Sequence, residues 1–341
     1  MALSSNDWQS DYRRARMSVF ELLDRLELKP RDLSFELDAE SPFELMVPPH
    51  FLSLMEKGNA KDPLFLQVVS RMEERRKSHW TSRDPLQEER VRDKAGVLRK
   101  YSGRVLIMLS GACAIHCRYC FRRHVDYGNA IVSRSQLVEV VRSVESDRSI
   151  REVILSGGDP FSLTDEKLFA VLDALGGIES ISTIRIHTRT LTAVPSRLTP
   201  EIVEKLQSIP KRLVIVVHTN HPNELDAIVS SALVQLVKGG GLVLNQAVLL
   251  AGVNDRSDVL ERHSWKLHEA RVVPYYVHLL DRVEGAEHFE VPRRRAVELE
   301  TSLRDRLPGY LVPRFVREIP GALHKTPLAQ LGSEEEREIE R

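Results

Sequence analysis

The 341-residue chain reads as an α/β protein, an incomplete TIM-like (β/α)6 barrel behind an N-terminal helical region. Two observations predict this: short β-branched runs alternate with longer amphipathic stretches from Arg104 onward, and the unusual polar residues fall where the strand-like runs end. Strands separated by helices must run parallel, and right-handed crossovers curl such a series into an open sheet or a barrel. A hydrophobic content of 42% supports a sizeable core, while 49 basic residues balance 49 acidic ones. No global field then draws the chain to nucleic acid or to an anionic membrane, so partners must be recognised locally.

Residues 1–100 make up the N-terminal helical region, in which no convincing strand is read. Val19, Phe20, Leu23 and Leu26 share one helical face, as do Phe51, Leu54 and Met55. Gly58-Asn59 is a stop signal and Asp62-Pro63 a start. The charge run 71–77 is expected on a solvated face.

Residues 101–309 carry the barrel. Strand-like runs recur at 105–109, 153–155, 184–187, 213–218, 242–248 and 272–279, each followed by a helical stretch: 137–144, then near 165–175, 199–208, 223–237, 256–270 and 292–306. Ligand sites in parallel α/β folds form at the C-terminal ends of strands. There stand Ser156-Gly-Gly-Asp159, His187-Thr-Arg189, His218-Thr-Asn-His221, Asn245-Gln246 and Asp281. Residues 310–341 form a C-terminal segment, with Lys325 isolated between turn formers in the loop 320–327 and a charged tail from Ser333, expected as exposed helix or disorder.

The sequence shows no apolar signal segment and no run near the roughly 18 apolar residues of a spanning helix. A cytoplasmic protein is expected. Its only cysteines, Cys113, Cys117 and Cys120, lie within one eight-residue window in Gly111-Ala-Cys-Ala-Ile-His-Cys-Arg-Tyr-Cys120. A shared soft ligand is the natural explanation, and a reducing compartment would keep the thiols available. Zinc would need a fourth protein ligand, for which His116 and His124 are candidates. Three thiolates on a four-iron cluster would instead leave one iron open. Three buried hydrophobic cysteines are the bland alternative.

The cysteine spacing and the following Phe121-Arg-Arg-His124 resemble the cluster loop of radical S-adenosylmethionine enzymes. In that setting Ser156, Gly157, Gly158 and Asp159 resemble the motif that holds the S-adenosylmethionine amino group, although a Gly-Gly pair by itself is only a tight turn. Together with Tyr101-Ser-Gly-Arg104, His221-Pro-Asn-Glu224, Pro274-Tyr-Tyr276, Glu287-His-Phe289 and His324-Lys-Thr-Pro327, these motifs resemble the lysine 2,3-aminomutase family. The short bacterial branch that makes (R)-β-lysine for elongation factor P is the better match.

The resemblance implies an isomerase with a [4Fe-4S] cluster on the three cysteines, S-adenosylmethionine, and pyridoxal 5′-phosphate on Lys325 as a Schiff base. It matches Arg104 to a phosphate-binding arginine, Tyr101 and Gln246 to further cofactor contacts, and Arg122 to the substrate carboxylate. Asp281 and Glu318 match two acids that hold the substrate ε-ammonium, with glutamate replacing an aspartate at 318 and Lys100 replacing an arginine of clostridial members. L-Lysine is the implied substrate, with a reductant protein, a downstream elongation factor P lysine ligase and a second copy of the chain in a homo-oligomer as implied partners. Catabolic free-lysine or glutamate mutases remain alternatives. A non-catalytic iron-sulfur or zinc module would explain the cysteines but not Lys325, Arg104 or Asp281.

Overall fold

The computed structural model describes residues 7–93 and 97–332; the charged tail from Ser333 lies outside them. One sheet of nine strands, ordered as in the chain, organises the fold. It consists of β1 (Val97–Tyr101), β2 (Arg104–Ser110), β3 (Glu152–Gly157), β4 (Thr183–Thr188), β5 (Arg212–His218), β6 (Leu242–Val248), β7 (Val273–His278), β8 (Arg314–Arg317) and β9 (Thr326–Pro327). Strands β2 to β8 pair in parallel, while β1 and β9 add antiparallel at the two edges. The edges do not pair with each other, so the barrel stays open.

The six expected strand–helix units are present as β2 to β7, with crossover helices Arg134–Ser146, Asp165–Gly176, Pro200–Ser208, Ala227–Lys238, Ser257–Glu269 and Arg293–Arg306. The apolar faces of the first five bury against the strands in a core that includes Ile107, Leu155, Leu172, Ile186, Ile215 and Val243, and that of Arg293–Arg306 packs with Val277 and Phe315 in a second core. Caps set their starts, as where Thr199 Oγ1 accepts from Ile202 N–H and Asp226 Oδ1 from Val229 N–H.

Two sequence expectations are corrected. A strand does precede residue 101: β1 is created by pairing with β2 across the turn at Gly103, whose φ of +71° suits glycine. The charge run 71–77 does not lie wholly in solvent, because Glu74 has a side chain only 3% exposed and reaches inward to two arginines of the cysteine loop.

The N-terminal elements form their own core around Leu22, Phe51, Leu64 and Phe65, and this core includes Ile115 and Tyr119 of the cysteine loop and Leu250, Leu280 and Phe289 of the barrel. Asp62 caps the helix Pro63–Leu66 from its start signal, accepting from Leu64 and Phe65 N–H at 2.8 and 2.9 Å. The leading segment thus closes over the end of the barrel where the cysteines sit.

Candidate active site

The C-terminal ends of the parallel strands surround one cavity of about 820 Å3, and the cysteines and every other residue matched above to a cofactor or substrate line it. The cysteine loop leaves β2 and is seated on the glycine turn after β3. Gly158 N–H donates to Ser110 O at 2.5 Å and Asp159 N–H to Ala112 O at 2.9 Å. A Cβ on Gly158 would lie 2.5 Å from Ala112 O, so only glycine permits this approach.

The far side of the loop is pinned by charge. Arg118, fully buried, donates from Nε to Glu74 Oε1 at 3.0 Å, and Arg123 donates from Nη2 to Glu74 Oε2 at 2.6 Å. A buried carboxylate shared by two guanidiniums satisfies both only in this geometry.

Burial pushes all three thiols above their ordinary value, Cys120 to about 11, so metal loading must displace protons. Arg189 Nη1 donates to Cys117 Sγ at 2.9 Å and favours the thiolate there. The histidines weighed for zinc point elsewhere: His116 meets Glu44 O at 2.9 Å and stacks on Phe43, and His124 Nε2 meets Glu284 O at 3.0 Å. Among the described residues no three His, Cys, Asp or Glu side chains converge on a single metal ion. Three soft donors along one cavity wall instead fit a cluster in which each thiolate takes its own iron.

Asp159 braces the cavity wall from behind. Its carboxylate accepts from Phe161 N–H, Thr188 Oγ1, Arg189 N–H and Thr190 N–H at 2.7 to 3.0 Å, tying the end of β3 to that of β4. Ser156 turns its hydroxyl to Arg122, whose Nη1 lies 3.0 Å away.

Arg122 is buried and gripped on two sides. Nη1 also donates to Gly157 O at 3.1 Å, while Nε and Nη2 donate to Glu88 at 2.8 and 2.9 Å. Across the cavity, β8 and β9 form a hairpin in which Arg317 pairs with Thr326, placing Glu318 and Lys325 at the next rung. Lys325 donates to Glu318 Oε2, and Lys100 Nζ lies 2.9 Å from Glu318 Oε1. Burial alone would raise the Glu318 carboxyl, but these two ammoniums overcome it and hold it far below the usual range.

The surroundings of Lys325 fit a phosphorylated aldehyde. Arg104 stacks over Tyr101 at 5.1 Å and has no ion-pair partner among the described residues, and a guanidinium fork suits phosphate oxygens. Gln246 lines the same cavity. The buried His187 Nε2 and His278 Nε2 have no hydrogen-bond partner among the described residues, and burial, assisted by nearby Lys325, keeps both imidazoles neutral.

Asp281, just past β7, is the second acid of the pair. Its Oδ1 is sealed from solvent without a hydrogen-bond partner among the described residues. Burial first, then the Glu318 charge, raises its carboxyl to about 7. A buried carboxylate with an unbonded oxygen beside a second, doubly paired one can accept a charged donor.

An open parallel barrel with three cysteines on the loop after its first parallel strand defines a radical S-adenosylmethionine enzyme, and residues 107–239 match the Radical SAM superfamily. The chain is 38% identical over 324 residues to the L-lysine 2,3-aminomutase of Haemophilus influenzae, covering 95% of this chain and 96% of that protein. It is 37% identical to the Escherichia coli L-lysine 2,3-aminomutase (95% of each chain) and 32% identical to that of Clostridium subterminale (95% of this chain, 78% of that protein). The chain belongs to the L-lysine 2,3-aminomutase family. Membership implies an isomerase with a [4Fe-4S] cluster, S-adenosylmethionine and pyridoxal phosphate.

Sequence reasoning missed Glu74, Glu88 and His278. Glu74 was hidden in a charge run and Glu88 in an irregular stretch without periodicity; the acid three residues after Pro85 was the only available signal for the latter.

Proposed function

We propose that this chain moves the α-amino group of L-lysine to the β-carbon, giving (R)-β-lysine. The observation that carries this reading is the unpartnered, buried Asp281 beside Glu318, across a cavity also lined by Arg122 and the three cysteines. Two acids opposite a guanidinium suit a molecule with an ammonium at one end and a carboxylate at the other. Glutamate would bring a third carboxylate to the acid pair and is disfavoured by repulsion.

Cys113, Cys117 and Cys120 would hold the cluster, with Ser156, Gly157 and Gly158 forming the S-adenosylmethionine wall that Asp159 braces. Lys325, Arg104, Tyr101 and Gln246 would hold pyridoxal phosphate. When bound, the cluster and S-adenosylmethionine supply the electron and the hydrogen-abstracting radical, and pyridoxal phosphate the carbonyl that carries nitrogen between carbons. The chain's own residues do the positioning. Arg122 orients the carboxylate, Asp281 and Glu318 fix the ε-ammonium, and His187 and His278 stay neutral, so neither imidazole adds to the positive charge around the acids.

A use of the product in elongation factor P modification rests on the resemblance of the motifs to the short bacterial branch. A reductant protein and a ligase are the partners this reading requires, a homo-oligomer remains part of it, and a reducing cytoplasm is the compartment that suits three thiols. The test is an anaerobic assay with lysine, S-adenosylmethionine, pyridoxal phosphate and reductant, read by chiral amino-acid analysis. It should show (R)-β-lysine; product from glutamate in preference to lysine would overturn the assignment.

A further inference from the structure

Glu88 lies in the segment before the barrel, yet its carboxylate is inside the site. Asp84 accepts from Glu88 and Glu89 N–H at 2.9 and 3.1 Å, and Gln87 adopts the left-handed region at φ 50°. A non-glycine residue held there is uncommon, and the turn directs the Glu88 side chain inward.

The carboxylate takes Arg122 in a bidentate fork, through Nε at 2.8 Å and Nη2 at 2.9 Å, and Lys100 Nζ at 3.2 Å. Ser156 Oγ and Gly157 O occupy both hydrogens of Nη1. Four of the five guanidinium donors are therefore engaged, and Arg122 cannot rotate. Lys100 continues the contact to Glu318, and Glu318 to Lys325. Five charges thus alternate from one end of the cavity to the other: Arg122, Glu88, Lys100, Glu318, Lys325. Burial would by itself raise the Glu88 carboxyl, but Arg122 and Lys100 hold it below its ordinary value, so it stays charged.

We infer that Glu88 is a positioning residue for substrate binding. It sets the plane of Arg122 against the substrate carboxylate and, through Lys100, the place of Glu318 against the ε-ammonium. This rests on the assignment of Arg122 and Glu318 to the two ends of lysine. Without the Glu88 charge, Arg122 would turn and Lys100 would shift toward Glu318, loosening both ends at once, while the cluster wall and the Lys325 loop have their own supports.

The test compares Glu88→Gln and Glu88→Asp with the native holoenzyme by KM and kcat for lysine, iron content, Schiff-base absorbance and melting temperature. The expected result is a KM raised about tenfold or more in Glu88→Gln and several-fold in Glu88→Asp, kcat within about threefold, and the other three readouts unchanged. In the double variant with Arg122→Lys, the effects on KM should be less than additive, since the two residues act as a unit. An unchanged KM in Glu88→Gln alongside a raised KM in Arg122→Lys overturns this inference alone. An unchanged KM in Arg122→Lys overturns the underlying substrate assignment. Loss of iron or of thermal stability in proportion to KM, in Glu88→Asp as well, would show Glu88 to be merely structural.

Discussion

Lys100 Nζ lies 2.9 Å from Glu318 Oε1, and the other oxygen of the same carboxylate carries Lys325. The acid matched to the substrate ε-ammonium is therefore shared with the lysine matched to pyridoxal phosphate. Were Lys325 to hold pyridoxal phosphate, its contact with Glu318 would be the one that loosens, leaving that oxygen for a substrate ammonium. Glu318→Gln should lower kcat/KM for lysine tenfold or more, because a charge-assisted hydrogen bond contributes about 1.5–3 kcal/mol and about 1.4 kcal/mol is tenfold. Lys325→Ala should abolish the Schiff-base absorbance while iron content stays native. Borohydride trapping and peptide mapping check the site; an adduct on Lys100 would sink the Lys325 assignment.

Asp281 makes the lysine kinetics pH-dependent. With its carboxyl raised to about 7, the free chain is largely protonated there below neutrality, and an ammonium needs the ionised form. For native enzyme kcat/KM should rise with pH through about 7, and Asp281→Asn should lose that limb along with an order of magnitude or more in rate. A pH profile identical in the two proteins would contradict this.

The same shift affects stability. A folded-state pKa above the ordinary 3.8 stabilises the fold at low pH, and that contribution is lost as pH rises toward and through about 7. Ligand-free Asp281→Asn should therefore melt higher than native at pH 8, by roughly 1–2 °C per kcal/mol recovered, and nearly equal to it at pH 4. Scanning calorimetry at the two pH values decides.

Glu74 should matter for iron although it touches no cysteine. Glu74→Ala leaves Arg118 and Arg123 without their shared counter-ion, at a cost of about 3–5 kcal/mol for a broken buried pair. Reconstituted variant should hold less iron and melt lower. Native iron content and melting temperature would show that the loop is set elsewhere.

Gly158→Ala tests the seat of the cysteine loop from the other side. The added Cβ would meet Ala112 O at 2.5 Å and Gly111 C at 2.9 Å, both backbone atoms that yield only if the loop shifts. Iron binding after anaerobic reconstitution should fall sharply, whereas stoichiometric zinc in the native protein would refute the cluster itself.

The barrel was legible because its strands and helices carry their own signals: residues 213–218 and 242–248 are β-branched and apolar, and the helices between them repeat every three to four residues. The last two strands were not. Arg314–Arg317 and Thr326–Pro327 are too short and too polar to declare a strand; the first exists because β7 offers it an open edge, and the second because the first does the same in turn.

By itself the sequence determined the fold class, the cysteine spacing and the resemblance that located Lys325, since each is a property of neighbours along the chain. Only the tertiary structure decided which charges meet. Glu88 and Arg122, Glu74 and Arg118, and Lys100 and Glu318 are separated by 34, 44 and 218 residues. Their pairing leaves no local periodicity, because a buried charge answers to what surrounds it in space, and that is settled only when the whole chain has folded around it.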